Sequence, residues 1–185
     1  MIKLIGISGK KRSGKNTMAR VFMETLNDLQ IAQLAFGDVV KDEVCQACGV
    51  SREFLEANKD LFRPMLQWWG TEFRRKLHGD DYWIRRLFDK LGNLPGEIFI
   101  ISDVRFLNEM QALTSVSGST LIRIQRAVDF TDMDKHASEV ELDASAFYYT
   151  IMNNGTLEEF ERDCARFANR VLVQRLGLAM RGEPD

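Results

Sequence analysis

Cysteine and histidine are scarce: the 185 residues include three of the first and two of the second. Three cysteines build no disulfide framework. Cys45 and Cys48 form a C-x-x-C, but a zinc site needs two further ligands and both histidines are distant in sequence. A thioredoxin-like pair opens a helix just after a strand, whereas this one closes an apparent helix ended by Gly49. Both are read as helix residues without chemistry. No apolar run approaches the roughly 18 residues that span a bilayer. The apolar start at Ile2, Leu4 and Ile5 is broken by Lys3 and runs into glycine, unlike a secretory leader, so a cytoplasmic protein with no membrane partner is expected. A surplus of positive charge is also missing: the net charge is -2, which disfavours a dedicated nucleic-acid binder. There are no internal repeats, low-complexity tracts or heptads. What is present, 45% hydrophobic and 28% charged residues, suits one globular domain with a real core.

Short apolar runs alternate with helical patterns. Leu4 to Ser8, Gln33 to Phe36, Ile98 to Ile101, Leu121 to Ile124 and Tyr148 to Met152 have strand length. From Gly14 to about Leu29, Met18, Val21, Phe22, Thr25, Leu26 and Leu29 recur at helical spacing. Asn153-Asn154-Gly155 is a turn signal, and Thr156 with Glu159 predicts a capping box for a C-terminal helix to about Leu176. Such alternation predicts an α/β fold with a five-stranded parallel sheet and helices on both faces. A long helical stretch from Val39 to Leu91 and a polar, Asp-rich segment from Ala127 to Glu141 interrupt the rhythm and are read as insertions, where specificity resides.

The stretch GKKRSGKNT, residues 9 to 17, follows the first strand and opens the first helix. Gly9, four residues, Gly14 and Lys15 are the spacing of a P-loop, whose backbone N–H groups and helix dipole cradle phosphate while the lysine reaches the β- and γ-phosphates. Asn16 stands where Ser or Thr is usual, with Thr17 one place later. The order Gly-Lys-x-Thr resembles the loops of nucleoside monophosphate kinases such as adenylate kinase. Lys10, Lys11 and Arg12 either meet a second phosphorylated molecule or are ordinary solvated charges. Asp103, just past the apolar strand in IISDVRFLNE, has the position of a Walker-B acid that holds Mg²⁺. Arg105 would face the crevice above the strand ends.

The segment DLFRPMLQWWGTEFRRKLHGDDYW points to an acceptor site. At 100° per residue Arg63, Gln67, Thr71 and Arg75 share a sector that Arg74 joins, and Leu66, Trp69, Phe73 and Leu77 take a roughly opposite one. One face packs, and the other suits a phosphate monoester gripped by arginines. Trp68, Trp69 and Trp83 are either core residues or platforms for a base.

GKKRSGKNT, FGDVVKDEV, RPMLQWWGTEFRRKLHGDDYWIRRL, ISDVRFLNEMQAL and NNGTLEEFE together resemble the deoxynucleoside monophosphate kinases of tailed phages, in the same order and over most of the chain. The resemblance implies a P-loop NTPase three-layer α/β/α domain over residues 1–185, with an acceptor-binding insert over about 38–92 and a lid over about 126–141. It implies transfer of phosphate from Mg·ATP to a deoxynucleoside 5′-monophosphate for DNA precursor supply, in a host cytoplasm if phage-encoded, with a homodimer possible. ATP would lie on Gly9, Ser13, Gly14, Lys15, Asn16, Thr17, Asn154 and Gly155, and Mg²⁺ on Thr17 and Asp103. The acceptor would meet Lys11, Arg12, Asp38, Lys41, Arg63, Gln67, Thr71, Arg74, Arg75, Trp83 and Arg105. Lys15, Arg105 and the lid arginine Arg126, which follows Arg123, would carry catalysis. His136, with Ser138 and Glu139, is assigned a structural role in the lid, since an ionised phosphate oxygen needs little general-base help. Animal-type phosphomevalonate kinases share a similar P-loop and layout and are the competing resemblance. The departures are Asn16, where phage relatives commonly have Asp, and Gly37, often Ala. A P-loop ATPase switch without a small acceptor is the alternative from another class.

Overall fold

The computed structural model describes residues 2–27, 29–127 and 141–177. The chain forms two compact units, one from Met1–Leu34 with Pro95–Asp185 and one from Ala35–Leu94. Among the described residues no helix is long and apolar enough to cross a membrane.

The first unit is built on five strands: β1 (Lys3–Gly9), β2 (Ile31–Leu34), β3 (Ile98–Val104), β4 (Thr120–Gln125) and β5 (Tyr149–Met152). Their order is β2-β3-β1-β4-β5 and every pairing is parallel, as the alternation of elements predicts. β2 begins and ends earlier than the sequence suggests, because Phe36 already opens a helix behind the extended Ala35. β1 is central, and Leu4 to Ser8 are buried, the continuous apolar run of a strand covered on both faces.

Side chains of β1 alternate between those faces. Ile5 and Ile7 join Ile100, Ile122 and Ile124 in a core with Met18 and Phe22 of α1 (Lys15–Thr25). Phe160, Cys164 and Leu172 complete this layer. The first two belong to the helix Leu157–Phe167, which continues as a π-helical segment Ala168–Leu172 and a last turn Val173–Arg175. Thr156 and Glu159 cap its start reciprocally, as their spacing predicts. On the opposite face Gly6 makes room: a Cβ there would meet Leu121 at 2.1 Å and Leu113 at 3.2 Å. Leu113 belongs to the helix Leu107–Thr114. The result is the three-layer α/β/α arrangement.

The second unit is helical: α2 (Phe36–Cys48), α3 (Arg52–Ala57), α4 (Lys59–Gln67), a π-helical segment Trp68–Phe73, α5 (Arg74–His78) and α6 (Tyr82–Gly92). Gly49, at φ 65°, ends α2 in the left-handed region, and the Ser51 hydroxyl caps α3 by accepting from the Phe54 N–H at 3.1 Å. The π segment corrects the helical wheel drawn from sequence. The Arg74 N–H donates to the Trp69 carbonyl, five residues back. This wide turn takes in one extra residue and rotates everything after it by about 100°. Arg75, expected on the ligand-facing side, is therefore buried at 7% exposure, and Leu77, expected to pack, is 62% exposed.

Glu109 fastens the end of β3 to the helix that follows. Its buried carboxylate accepts from the N–H groups of Arg105 at 2.9 Å and Phe106 at 3.1 Å. Glu109→Ala leaves those donors without this acceptor and is expected to lower unfolding free energy by about 2–3 kcal/mol. Chemical denaturation checks this.

Candidate active site

Residues 8–15 turn the carboxyl end of β1 into α1. Its position is the one where ligands bind in open parallel sheets, because β1 has β3 on one side and β4 on the other and the chain's winding reverses there. The Ser13 N–H donates to the Lys10 carbonyl at 3.1 Å, closing the loop. Gly14 opens the helix at φ 107°. No larger residue fits there, because a Cβ would meet Asn153 Nδ2 and Phe160 Cε1, each at 2.8 Å. Arg12 takes φ 61° without being glycine, a strained conformation of the kind held at functional sites. The Lys15 ammonium lies across the loop, donating to the carbonyls of Gly9 at 2.6 Å and Lys10 at 2.7 Å.

The rim of the loop is equally ordered. The buried Ser13 hydroxyl has no hydrogen-bond partner among the described residues and lies against Gly9, where a Cβ would meet it at 2.4 Å. Asn153 donates its side-chain amide to the Ser13 carbonyl at 2.8 Å and its N–H to the Gln125 carbonyl at 2.7 Å. Arg126 reaches the Arg12 carbonyl at 3.4 Å. Asn154 Oδ1 accepts from the Ala127 N–H at 2.7 Å. A cavity of about 350 Å³ opens beside this turn, lined by Met152, Asn154, Gly155, Glu159, Phe160 and Arg162. Asp103 and Arg105 lie at the end of β3, where the register pairs Val104 with Ser8 at the root of the loop.

Magnesium takes hard oxygen ligands and binds through one or two carboxylates plus substrate phosphates. Thr17 in the first turn of α1 and Asp103 supply a hydroxyl and a carboxylate of that kind. Among the described residues no cluster of three or more His, Cys, Asp or Glu could hold a metal by itself. That donor set fits an ion carried in with a nucleotide.

In the helical unit, charge and aromatic surface converge on Arg74. Its guanidinium forms an ion pair with Glu43 and lies 5.3 Å from the Trp69 ring, 5.0 Å from Phe73 and 5.6 Å from Tyr82. The Tyr82 hydroxyl donates to Glu43 at 3.0 Å. Trp68 stacks on Phe73 with centroids 5.0 Å apart and planes 11° apart, and stays 47% exposed.

A family model for phosphomevalonate kinase matches residues 7–119, from the phosphate loop through the helical unit to the helix after β3. The chain belongs to the phosphomevalonate kinase family. It is thus a phosphotransferase of the ATP-dependent kinase class, and the kinship expected with kinases holds at that level. The narrower resemblance to phage deoxynucleoside monophosphate kinases is not what the model matches; the competing resemblance is. The crystal structure of TT1252 from Thermus thermophilus shares the fold, with a TM-score of 0.52 at 15% identity over 92% of this chain and 98% of that one. No curated protein gives a significant match.

Several residues expected at the acceptor site have partners within the protein. Trp83 is fully buried and donates its indole N–H to the Gly70 carbonyl at 2.6 Å, so it stacks on no ligand. Asp38 and Lys41 belong to an ion network around Arg52, which also holds Asp42 at 2.6 Å and Glu56 at 3.2 Å. Arg75 donates to the Asp80 carbonyl at 3.2 Å. Arg63 keeps a loose pair with the exposed Asp60 at 3.3 Å, and Gln67 and Thr71 are half-buried. Lys11, Arg12 and Asn16 are exposed around the loop. Most of the expected lid over 126–141, His136, Ser138 and Glu139 included, lies outside the described residues. Sequence reasoning missed Glu43, Arg52, Glu56 and Tyr82. The spacing of Arg52 and Glu56, four apart on one helix, was the available signal.

The network moves protonation as well as position. Burial alone would lower the Arg52 guanidinium, but the carboxylates of Asp38, Glu56 and Asp42 raise it. Burial, reinforced by Glu43, pushes the Tyr82 phenol up. A hydrogen bond from Lys41 at 2.6 Å, helped by Arg52 and Lys59, holds Glu56 down to about 2 against an ordinary 4.5. A depressed carboxylate stabilises the fold above its unfolded value and loses that contribution as pH falls through the folded one. Glu56→Gln is therefore expected to be less stable than wild type near neutrality, with the gap closing between pH 4.5 and about 2. Denaturant titrations of both proteins at stepped pH measure that gap.

Proposed function

We propose that this kinase transfers the γ-phosphate of Mg·ATP to a small phosphomonoester, with a deoxynucleoside 5′-monophosphate as the preferred acceptor. The loop N–H groups and Lys15 would hold the β- and γ-phosphates, and Asn154 and Gly155 would border the base at the cavity beside β5. Thr17 and Asp103 would hold magnesium, which neutralises charge on the phosphates. Arg105 and Arg126 would steady the transferring group. The attacking oxygen of a phosphomonoester is already ionised, so the reaction needs positioning and charge neutralisation rather than a base or a covalent intermediate.

The acceptor assignment is carried by the helical unit's aromatic surface. Trp68, half-exposed and stacked on Phe73, offers the flat apolar platform on which a nucleobase stacks. Arg63 and Arg74 offer cations for its phosphate. A phosphomevalonate has no ring to place there. The specific observation favouring phosphomevalonate as a second reading is the family match, which runs through this same unit.

ADP release is followed with Mg·ATP and each deoxynucleoside monophosphate, each ribonucleoside monophosphate and phosphomevalonate. Stimulation by deoxynucleoside monophosphates is the expected outcome, stimulation by phosphomevalonate alone moves the second reading forward, and hydrolysis indifferent to all of them removes the small-acceptor assignment. Lys15→Ala is expected to lower turnover by at least about two orders of magnitude, the scale of losing one transition-state charge partner.

A further inference from the structure

Ser8, Arg123, Asp143 and Lys10 form a closed circuit around the root of the phosphate loop. Arg123 on β4 lies opposite Ser8 of β1 in the sheet register and is 9% exposed. Its Nη1 donates to Ser8 Oγ at 3.0 Å and its Nη2 to Asp143 Oδ1 at 2.7 Å. The guanidinium also covers the Phe147 ring, 5.5 Å from its centre. The other carboxylate oxygen of Asp143 holds the Lys10 ammonium at 2.8 Å. Ser8 and Lys10 flank Gly9, so the circuit leaves the chain just before the first loop glycine and returns just after it.

We propose that Asp143 is a positioning residue for ATP binding: by tying Lys10 to the buried Arg123, it fixes the Gly9–Lys10 backbone on which Lys15 rests. The Lys10 carbonyl takes both the Lys15 ammonium and the Ser13 N–H, so a displaced Lys10 shifts the loop's closing turn and its catalytic lysine together. Exposed lysines are mobile, and a phosphate cradle works through backbone groups fixed before the ligand arrives. Satisfying Arg123 takes one oxygen of Asp143; the second oxygen is committed to the loop. The inference rests on the phosphate-loop reading above.

The test is a double-mutant cycle on the full chain with Lys10→Gln, Asp143→Asn and both together. It reads the Kd for Mg·ATP by equilibrium binding, with the thermal midpoint alongside. Each single variant is expected to weaken ATP binding about tenfold, and the double no further than the weaker single, as coupled neighbours behave. Lys10→Gln leaves Arg123 paired and is expected to melt like wild type. Should Asp143→Asn not fold, the cycle is run with Asp143→Glu, which keeps a carboxylate for Arg123 and displaces the oxygen that holds Lys10. Two losses that multiply, or an Asp143 variant with unchanged Kd, overturn the brace while ATP still binds the wild type. Wild-type protein that does not bind ATP overturns the loop reading first, and this inference with it.

Discussion

The constraint on which the P-loop unit depends is that a short run of backbone must curl tightly enough to point its N–H groups at one anion. Such a curl tolerates no Cβ where the chain comes closest to its neighbours. Gly14 sits against Asn153 and Phe160, and a methyl group there would press on both at 2.8 Å. The loop must also spring from a strand that cannot move. β1 meets this need because it is central, pairs on both sides and is buried on both faces. The capping box at Thr156 belongs to the same requirement, since it fixes the start of the helix that carries Phe160 beneath the loop.

How much of this could be read in the sequence depends on the range of the interaction. The strands, the first helix and the Thr156 cap are local patterns and stood out as apolar runs, spacing and a capping pair. The parallel character of the sheet follows from alternation with helices. Glu109 is a middle case: its hydrogen bonds to Arg105 and Phe106 are local, yet nothing in a lone acidic residue announces that it will be buried. The circuit through Arg123 and Asp143 joins residues far apart in sequence and had no local signature. The π segment was hidden for a different reason. Periodicity arguments assume a fixed angle per residue, and one residue taken into a wide turn between Trp68 and Phe73 shifts every later position. Arg75 and Leu77 exchanged environments through that single change.

The helical unit shows why a count of arginines overstates what is left to bind a ligand. Arg52 is surrounded by Asp38, Asp42 and Glu56, and Arg74 is paired with the nearly buried Glu43 inside an aromatic cage. Separating a partly buried cation from its carboxylate leaves a charge stranded in poor solvent, which costs far more than the pair contributes. Arg63 is different. Its partner Asp60 is almost wholly exposed and 3.3 Å away, and an exposed pair of that kind is worth only about 0–1 kcal/mol. On the proposed reading, an acceptor phosphate would exchange for Asp60 at little cost, whereas it would approach Arg74 only with Glu43 still in place. The ion pairs therefore rank the arginines within that proposal: Arg63 would supply mobile charge, and Arg74 a fixed, pre-oriented edge beside the aromatic surface.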